Sequence, residues 1–506
     1  MVGHGGGIGL ALDIGTSMVK AAAYDAEGRL LAAARAAAPV RRPQPGYCEY
    51  DTDDVWASLR AAVAEVLATV GGRVERVSCT GQGDGCWLID ADGASVGRAI
   101  LWNDGRAADI VKRWTESGLA DIAYRINGSA HFAGSQGAIL QWLRENEPTR
   151  VDRARYALFA TGWLAHKLCG EAIMDRSDAS LPWLDLHTGA ISEELLRTHE
   201  LTWSARLRPR LLDGHPVVGG LTEAAARDLG VDPGVPVVAG PFDSVAMALG
   251  AAVLDPGDAL VILGTTLIVE GVTEHPSPSG EPAGMTLATA VPGRWLQLMG
   301  TLSGTDTLNW GAELLDIATA REYVELAGGS VPGAHGVRVL PYFSPAGERA
   351  PFIDATARGS VLGLTLDHTR GDLVRAHVEG LAYALRHCVE TLHEPPAQLT
   401  VCGGASASPV LCQVLADVLG TPIRVLGGVE LGTLGADVAA RVALSAGEVH
   451  TVARSSLPES VLYYPDPATS AFYEIEYKRF HELRDQARPT WATLADARRA
   501  VEGVVQ

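Results

Sequence analysis

Asp13-Ile-Gly-Thr-Ser17-Met-Val-Lys20 stands between two apolar runs, Ile8-Gly-Leu-Ala-Leu12 and Val19-Lys-Ala-Ala-Ala-Tyr24. Apolar residues on both sides of a glycine-hydroxyl turn predict strand, tight turn, strand. Gly15 lets the backbone come close to an anion. The following N–H groups, with the Thr16 and Ser17 hydroxyls, can cradle its oxygens, and Asp13 offers a carboxylate to a cation. The same pattern returns half a chain later, where Asp258-Ala-Leu-Val-Ile-Leu263 runs into Gly264-Thr265-Thr266 and out through Leu267-Ile-Val269. Two such turns in one chain predict two facing lobes.

The bulk numbers agree. At 506 residues the chain exceeds what one hydrophobic core usually supports, so two large domains with a cleft between them are expected. Charged residues at 20% and hydrophobic ones at 47% place it among globular proteins. A formal net charge of −19 argues against nucleic acid or an anionic membrane as partner, because both would be repelled. The seven cysteines form no C-x-x-C pair and no zinc-type grouping, which predicts free thiols in a reducing cytoplasm. Met1-Val-Gly-His-Gly-Gly-Gly reads as a frayed tail without signal-peptide character, and prolines and glycines disqualify the uncharged stretch from Pro395 to Ala416 as a membrane span.

Along the chain, Asp25-Ala-Glu-Gly28 turns into Arg29-Leu-Leu-Ala-Ala33 as a third strand of a meander. Pro39 to Gly46 is expected as a loop, Asp53 to about Val70 as an amphipathic helix, and Val74 to Thr80 as a strand ending in Gly81-Gln82-Gly83-Asp84-Gly85. Cys86 to Ile89 is expected to form a hairpin about Asp90-Ala-Asp-Gly93, followed by Ala99 to Arg106, and the pattern is mainly helical from Arg106 to about Leu168. Gly234 to Ala239 resumes the sheet, and Asp243 opens the apolar helix Ser244 to Val253, with a lobe boundary near 245 to 257. The second lobe should hold a helix from about Thr369 to Leu392, the strand Leu399-Thr-Val-Cys402 entering Gly403-Gly404-Ala405, and a helix from Leu411 to Leu419. Glycine-rich strand ends in both halves suggest an ancient duplication. A P-loop is excluded, since G-x-x-x-x-G-K-[ST] is absent.

Several segments together resemble the FGGY carbohydrate kinases of the actin-like ATPase superfamily, over nearly the whole length. Trp102-Asn-Asp104-Gly-Arg106 is similar to the family's W-x-D-x-R segment, and Gly240-Pro-Phe-Asp243-Ser244-Val-Ala246 to its catalytic G-x-x-D-x-x-A. Gly403-Gly404-Ala405-Ser-Ala-Ser408 resembles the adenosine loop, and Glu430-Leu-Gly432-Thr-Leu-Gly435-Ala436 the glycine-rich segment after it. Gly359 to Glu379 is similar to the C-terminal signature except at His377, where a small or aliphatic residue is usual, and the N-terminal signature has Ile139 at its usual Lys position. The resemblance implies an α/β protein of two ribonuclease-H-like lobes, each with a mixed central sheet. Residues 1–250 would form the lobe binding sugar or polyol and carrying the first phosphate turn, and 251–506 the nucleotide-binding lobe.

It also implies roles. Asp243, locally a helix N-cap, becomes the general base and, with Asp13, an acidic group near Mg²⁺. Gly15, Thr16, Ser17, Lys20, Gly264, Thr265, Thr266, Gly403, Gly404, Ala405 and Ser408 would bind ATP. Gln82, Asp84, Trp102, Asp104 and His131 would join Asp243 in binding the substrate, with Trp102 as an apolar wall for its carbon chain. Gly83-Asp84-Gly85 with Trp87 looks most like the erythritol kinases, with L-xylulose kinases also close. The expected activity is ATP-dependent phosphorylation of a small acyclic sugar alcohol, erythritol foremost. Alternatives are a ketose kinase acting on L- or D-xylulose, a non-enzymatic actin-like nucleotide switch, and a sugar-binding regulator. A homodimer is left open.

Overall fold

The computed structural model describes residues 7–428, 430–445 and 447–505. The segment 1–6, most of the expected frayed tail, lies outside the described residues. The chain divides into two compact units: the first takes residues up to Leu254 with Glu274–Leu296 and Gly428–Pro458, and the second takes Asp255–Thr273, Gln297–Gly427 and the chain from Glu459 onward.

The quoted stretch forms β1 (Ile8–Ile14) and β2 (Met18–Tyr24), paired antiparallel with Asp13 opposite Lys20. β3 (Leu30–Ala37) completes the meander. β4 (Val74–Gly81) lies parallel to β1. With β5 (Val217–Gly220) and β6 (Pro236–Ala239) they make a six-stranded sheet ordered β5-β6-β4-β1-β2-β3. β1 is buried at every position, as a central strand covered on both faces must be, and so reads as an apolar run. Helix α1 (Thr52–Thr69) begins at Asp51, whose side chain accepts from the Asp53 N–H. It buries Val55, Trp56, Leu59, Val63 and Val66, each contributing roughly 1.5–3 kcal/mol of transfer free energy.

Three further helices position the site in this unit: α2 (Gln136–Asn146), α3 (Arg176–Ser180) and α4 (Asp243–Gly250). In the second unit β7 (Ala259–Leu263) and β8 (Leu267–Thr273) repeat the antiparallel hairpin. β9 (Trp295–Gly300) enters this unit at Gln297 and lies beside β8. β10 (Leu399–Cys402) runs parallel to β7, β11 (Ile423–Leu426) parallel to β10, and β12 (Ser460–Tyr463) antiparallel to β11. Six of this sheet's seven strands, in the order β9-β8-β7-β10-β11-β12, match β3-β2-β1-β4-β6-β5, and Met285–Ala288 adds a seventh beside β9. The expected α/β class, with a mixed central sheet in each half, is what the chain forms.

In the second unit α5 (Asp306–Leu314), α6 (Arg370–Val389) and α7 (Pro409–Leu419) pack on the sheet, and α6 starts with a Thr369–Asp372 capping box. α8 (Leu431–Ser445) returns to the first unit, and α9 (Pro467–Val505) ends the described chain.

Two local expectations differ. Val40–Arg41 is a short strand inside the expected loop, paired with Glu49–Tyr50. Trp87–Ile89 takes Tyr156–Leu158 as its ladder partner, while the chain after its own turn joins it through isolated Ile89–Ser95 and Cys86–Ile100 bridges and the Val96 N–H to Leu88 O bond. The Asp90 carboxylate accepts from the Asp92 and Ala94 N–H groups and closes the turn of that expected hairpin. Tyr156–Leu158 is too short for alternation to be visible in a helical stretch.

Candidate active site

In the first unit, the β1–β2 turn is braced from below. The Tyr50 hydroxyl donates to the Gly15 and Thr16 carbonyls, and the Gly15 N–H donates to Met18 O at 3.1 Å. Asp13 is buried; its Oδ2 lies 3.1 Å from Lys20 Nζ, which also reaches Glu430 at 3.3 Å. The Asp13 charge, followed by that of Glu430, outweighs desolvation and holds the Lys20 ammonium firmly protonated. Asp13 Oδ1 is buried with no hydrogen-bond partner, the kind of oxygen a cation or its water takes. Among the described residues no group of three or more His, Cys, Asp or Glu forms a metal cluster.

Gln82 follows β4, its N–H donating to Ile14 O at 2.8 Å and its Oε1 lying 3.4 Å from Thr16 Oγ1. Thr16 Oγ1 in turn accepts from Trp102 Nε1 at 2.8 Å, so the β1–β2 turn and the Trp102 segment are joined by one hydroxyl. Asp84 has φ of 55°, in the left-handed region that costs a non-glycine residue of order 1 kcal/mol. Its side chain is buried. It accepts from the Gln136 N–H at the start of α2, while Oδ1 is buried without a partner. Burial first, then the Asp243 charge, push it up to about 7.

Asp243 is the first residue of α4, and Phe242 occupies the N-cap position. Its Oδ1 accepts from the Ser244 N–H at 2.7 Å. Desolvation, then the Asp13 charge, push its carboxyl up to about 7 against the pull of Lys20. A carboxyl poised there can take a proton from an attacking hydroxyl.

Asp104 is engaged differently from the expectation. Its Oδ1 accepts from Arg106 Nε and its Oδ2 from Arg106 Nη2, both at 2.8 Å, and Oδ2 also takes the Cys48 N–H. With both oxygens occupied it braces the Trp102 segment. His131 sits edge-on to Trp114 and His199, with ring centroids at 5.3 and 4.7 Å, and both ring nitrogens lack partners. Burial, then His199, lower it to about 3, so it stays neutral. The Gly134 carbonyl accepts from the Gly85 N–H at 3.0 Å, tying the His131 loop to the Asp84 turn.

Sequence reasoning missed Asp178. It lies on α3, is 4% exposed, and neither oxygen has a partner. Its only sequence signal is the Asp175-Arg-Ser-Asp178 spacing of a capped helix start, and a five-residue helix shows no periodicity.

The second unit gathers the other expected residues. The Gly264 carbonyl accepts from Thr305 N–H at 2.9 Å and from its hydroxyl at 2.7 Å. Thr265 is exposed and Thr266 half-buried on the turn. Gly403 has φ of 105°, and a Cβ there would meet Leu263 O at 2.4 Å, so only glycine lets β10 end beside β7. A cavity of about 280 Å³ is lined by Gly404, Ala405, Ala407 and Ser408 on one side and by Thr305, Leu308, Asn309, Ala320, Arg321 and Val324 on the other. Ser408 also caps α7. Asn309 and Arg321 carried no signal, since both are ordinary helix-surface residues in sequence.

Residues 8–250 match the N-terminal domain of the FGGY family of carbohydrate kinases, and residues 259–444 match its C-terminal domain. The chain belongs to that family. It is an ATP-dependent carbohydrate kinase. The erythritol kinase of Brucella abortus (strain 2308) is 30% identical, covering 97% of this chain and 99% of that protein. The xylulose kinase of Escherichia coli (strain K12) is also 30% identical, over 96% and 100%. The crystal structure of a xylulose kinase from Rhodospirillum rubrum superposes with a TM-score of 0.86 at 28% identity, over 96% of this chain and 99% of that one. Among the described residues no helix is long and apolar enough to cross a membrane.

Proposed function

We propose that this kinase phosphorylates a hydroxyl of an acyclic four- or five-carbon sugar alcohol, with erythritol as the best fit and L- or D-xylulose as the second reading. The observation that carries it is Asp84: a strained, buried carboxyl with an unpartnered Oδ1, on which the Asp243 charge acts. Asp84 and Gln82 hold substrate hydroxyls, Trp102 covers the carbon chain, and Asp243 takes the proton of the attacking oxygen. The similarity to both an erythritol kinase and a xylulose kinase supports this class.

ATP is held by the second unit, with the adenosine in the cavity beside Gly404 and Ala405 and the phosphates near Gly264–Thr266. Gly15–Ser17 and Lys20 form a phosphate-binding turn of the first unit by the same chemistry. Mg²⁺, held near Asp13 and Asp243, supplies neutralisation of phosphate charge when bound. The seven cysteines are free thiols, which fits a reducing cytoplasm.

ADP release across erythritol, threitol, xylitol, glycerol, L-xylulose and D-xylulose tests the reading. A four- or five-carbon polyol should give the highest kcat/KM. D-xylulose preferred over every polyol would transfer the assignment to the second reading.

A further inference from the structure

Asp178 lies outside every motif that points to the site, yet its carboxyl is buried with no donor to either oxygen. A buried carboxyl without donors weakens a fold, and such an unpaired group in a native protein calls for a functional reason. The surrounding chain holds it firmly. Asp175 Oδ1 accepts from the Asp178 N–H at 2.9 Å, and the neighbouring Ser177 hydroxyl accepts from the Phe242 N–H at 2.9 Å. The Phe242 ring also lies under Gly83, where a Cβ would come within 2.6 Å of it. One residue adjacent to Asp243 therefore braces both the Gln82–Asp84 turn and the Ser177–Asp178 turn. The charges acting on Asp178, those of Asp175, Asp84 and Asp243, are all negative, and with burial they raise its carboxyl well above the usual range.

We infer that Asp178 is a specificity-determining residue that accepts a hydroxyl of the acceptor substrate beside Asp84, and that the two acceptors confine the enzyme to uncharged polyhydroxy substrates and turn away sugar acids. The inference rests on the polyol or ketose reading above and deepens it. A hydroxyl can both donate to and accept from such a buried carboxyl and satisfies it. A sugar carboxylate brings no proton, and its charge would enter a desolvated space where the Asp175, Asp84 and Asp243 charges already disfavour a negative one. Loss of one buried hydrogen-bonding partner is also what lets a site reject a deoxy analogue.

The test compares wild-type protein with Asp178→Asn and Asp178→Leu by ADP release, ATP affinity and thermal melting. The substrates are erythritol, L-xylulose, a singly deoxygenated erythritol and erythronate. The Asn variant should raise the KM for the preferred neutral substrate at least tenfold, with kcat within about threefold and ATP affinity unchanged. The preference for erythritol over its deoxy analogue should shrink. Melting temperature should hold or rise in both variants, because an unpaired buried carboxyl has been removed. A folded Asn variant with wild-type KM and substrate ranking overturns the role of Asp178 while leaving the polyol or ketose reading intact. A lowered melting temperature in both variants makes Asp178 structural and equally overturns it. Wild-type turnover of erythronate but of no neutral substrate overturns this inference together with the reading on which it rests.

Discussion

Replacing Asp243 by Asn should disable the enzyme while making the protein more stable at alkaline pH. The carboxyl moves from 3.8 to about 7 on folding, chiefly by desolvation and then by the Asp13 charge. At about 1.4 kcal/mol per pH unit, a shift of just over three units sets a ceiling of about 4 kcal/mol. The side chain is half-buried, so water relieves part of this and about 2–4 kcal/mol is the working range. The native state binds the proton more tightly than the unfolded chain. Wild-type stability is therefore lost as pH rises from about 4, where the unfolded carboxyl ionises, to about 7, where the native one does. Asp243→Asn carries no such loss. In metal-free buffer its unfolding free energy should exceed wild type by about 2–4 kcal/mol at pH 8 and converge on it near pH 4. In the coupled assay at pH 8, kcat should fall on the order of 10²–10⁴-fold with ATP affinity largely retained, the size expected for a lost general base. Urea denaturation at several pH values, run beside ADP release, measures both. Equal stability at pH 8 would mean that the folded site does not disfavour the charge, and near-normal turnover would remove Asp243 from the base role.

Asp84→Ala should raise the polyol KM and reduce the penalty for a missing hydroxyl, since no buried acceptor is left unpaired, while ATP affinity stays constant; unaltered substrate ranking would refute this. A Cβ on Gly404 meets nothing within 4 Å, so Leu there projects into free space on the lining of the second-unit cavity. Combined with Thr265→Val, Gly404→Leu should weaken ATP binding at least about tenfold by calorimetry, and unchanged affinity would move the nucleotide site elsewhere. Gly435→Ala places a Cβ 1.8 Å from Ala246 O, forcing α8 away from α4, which carries Asp243. Overpacking of about 1–3 kcal/mol should outweigh the up to ~1 kcal/mol that alanine gains in a helix. Urea denaturation should show a net loss of stability and the assay a lower kcat; a more stable, fully active variant would contradict the close packing.

The two glycine-hydroxyl turns, the strands flanking them and the glycine at each strand end were legible in the chain itself, because a tight turn between apolar runs is a local event dictated by neighbouring residues. The start of α6 near Thr369 was legible for the same reason, and that of α4 to within one residue, Phe242 taking the N-cap place read for Asp243. Asp104 was not. W-x-D-x-R looks the same whether its carboxylate faces a ligand or is spent on Arg106, and only packing put the guanidinium across both oxygens. The pairing of Trp87–Ile89 with Tyr156–Leu158 joins segments far apart in sequence, where periodicity carries no information. Asp178 makes the point most sharply. A five-residue helix buried in the first unit has no pattern of its own, and the Asp178 carboxyl becomes chemically unusual through burial first and then through the charges of Asp175, Asp84 and Asp243. Local sequence determined which backbone turns exist and what each could bind. Tertiary structure decided which carboxyls share a desolvated space, since burial and mutual charge arise only when distant segments pack together.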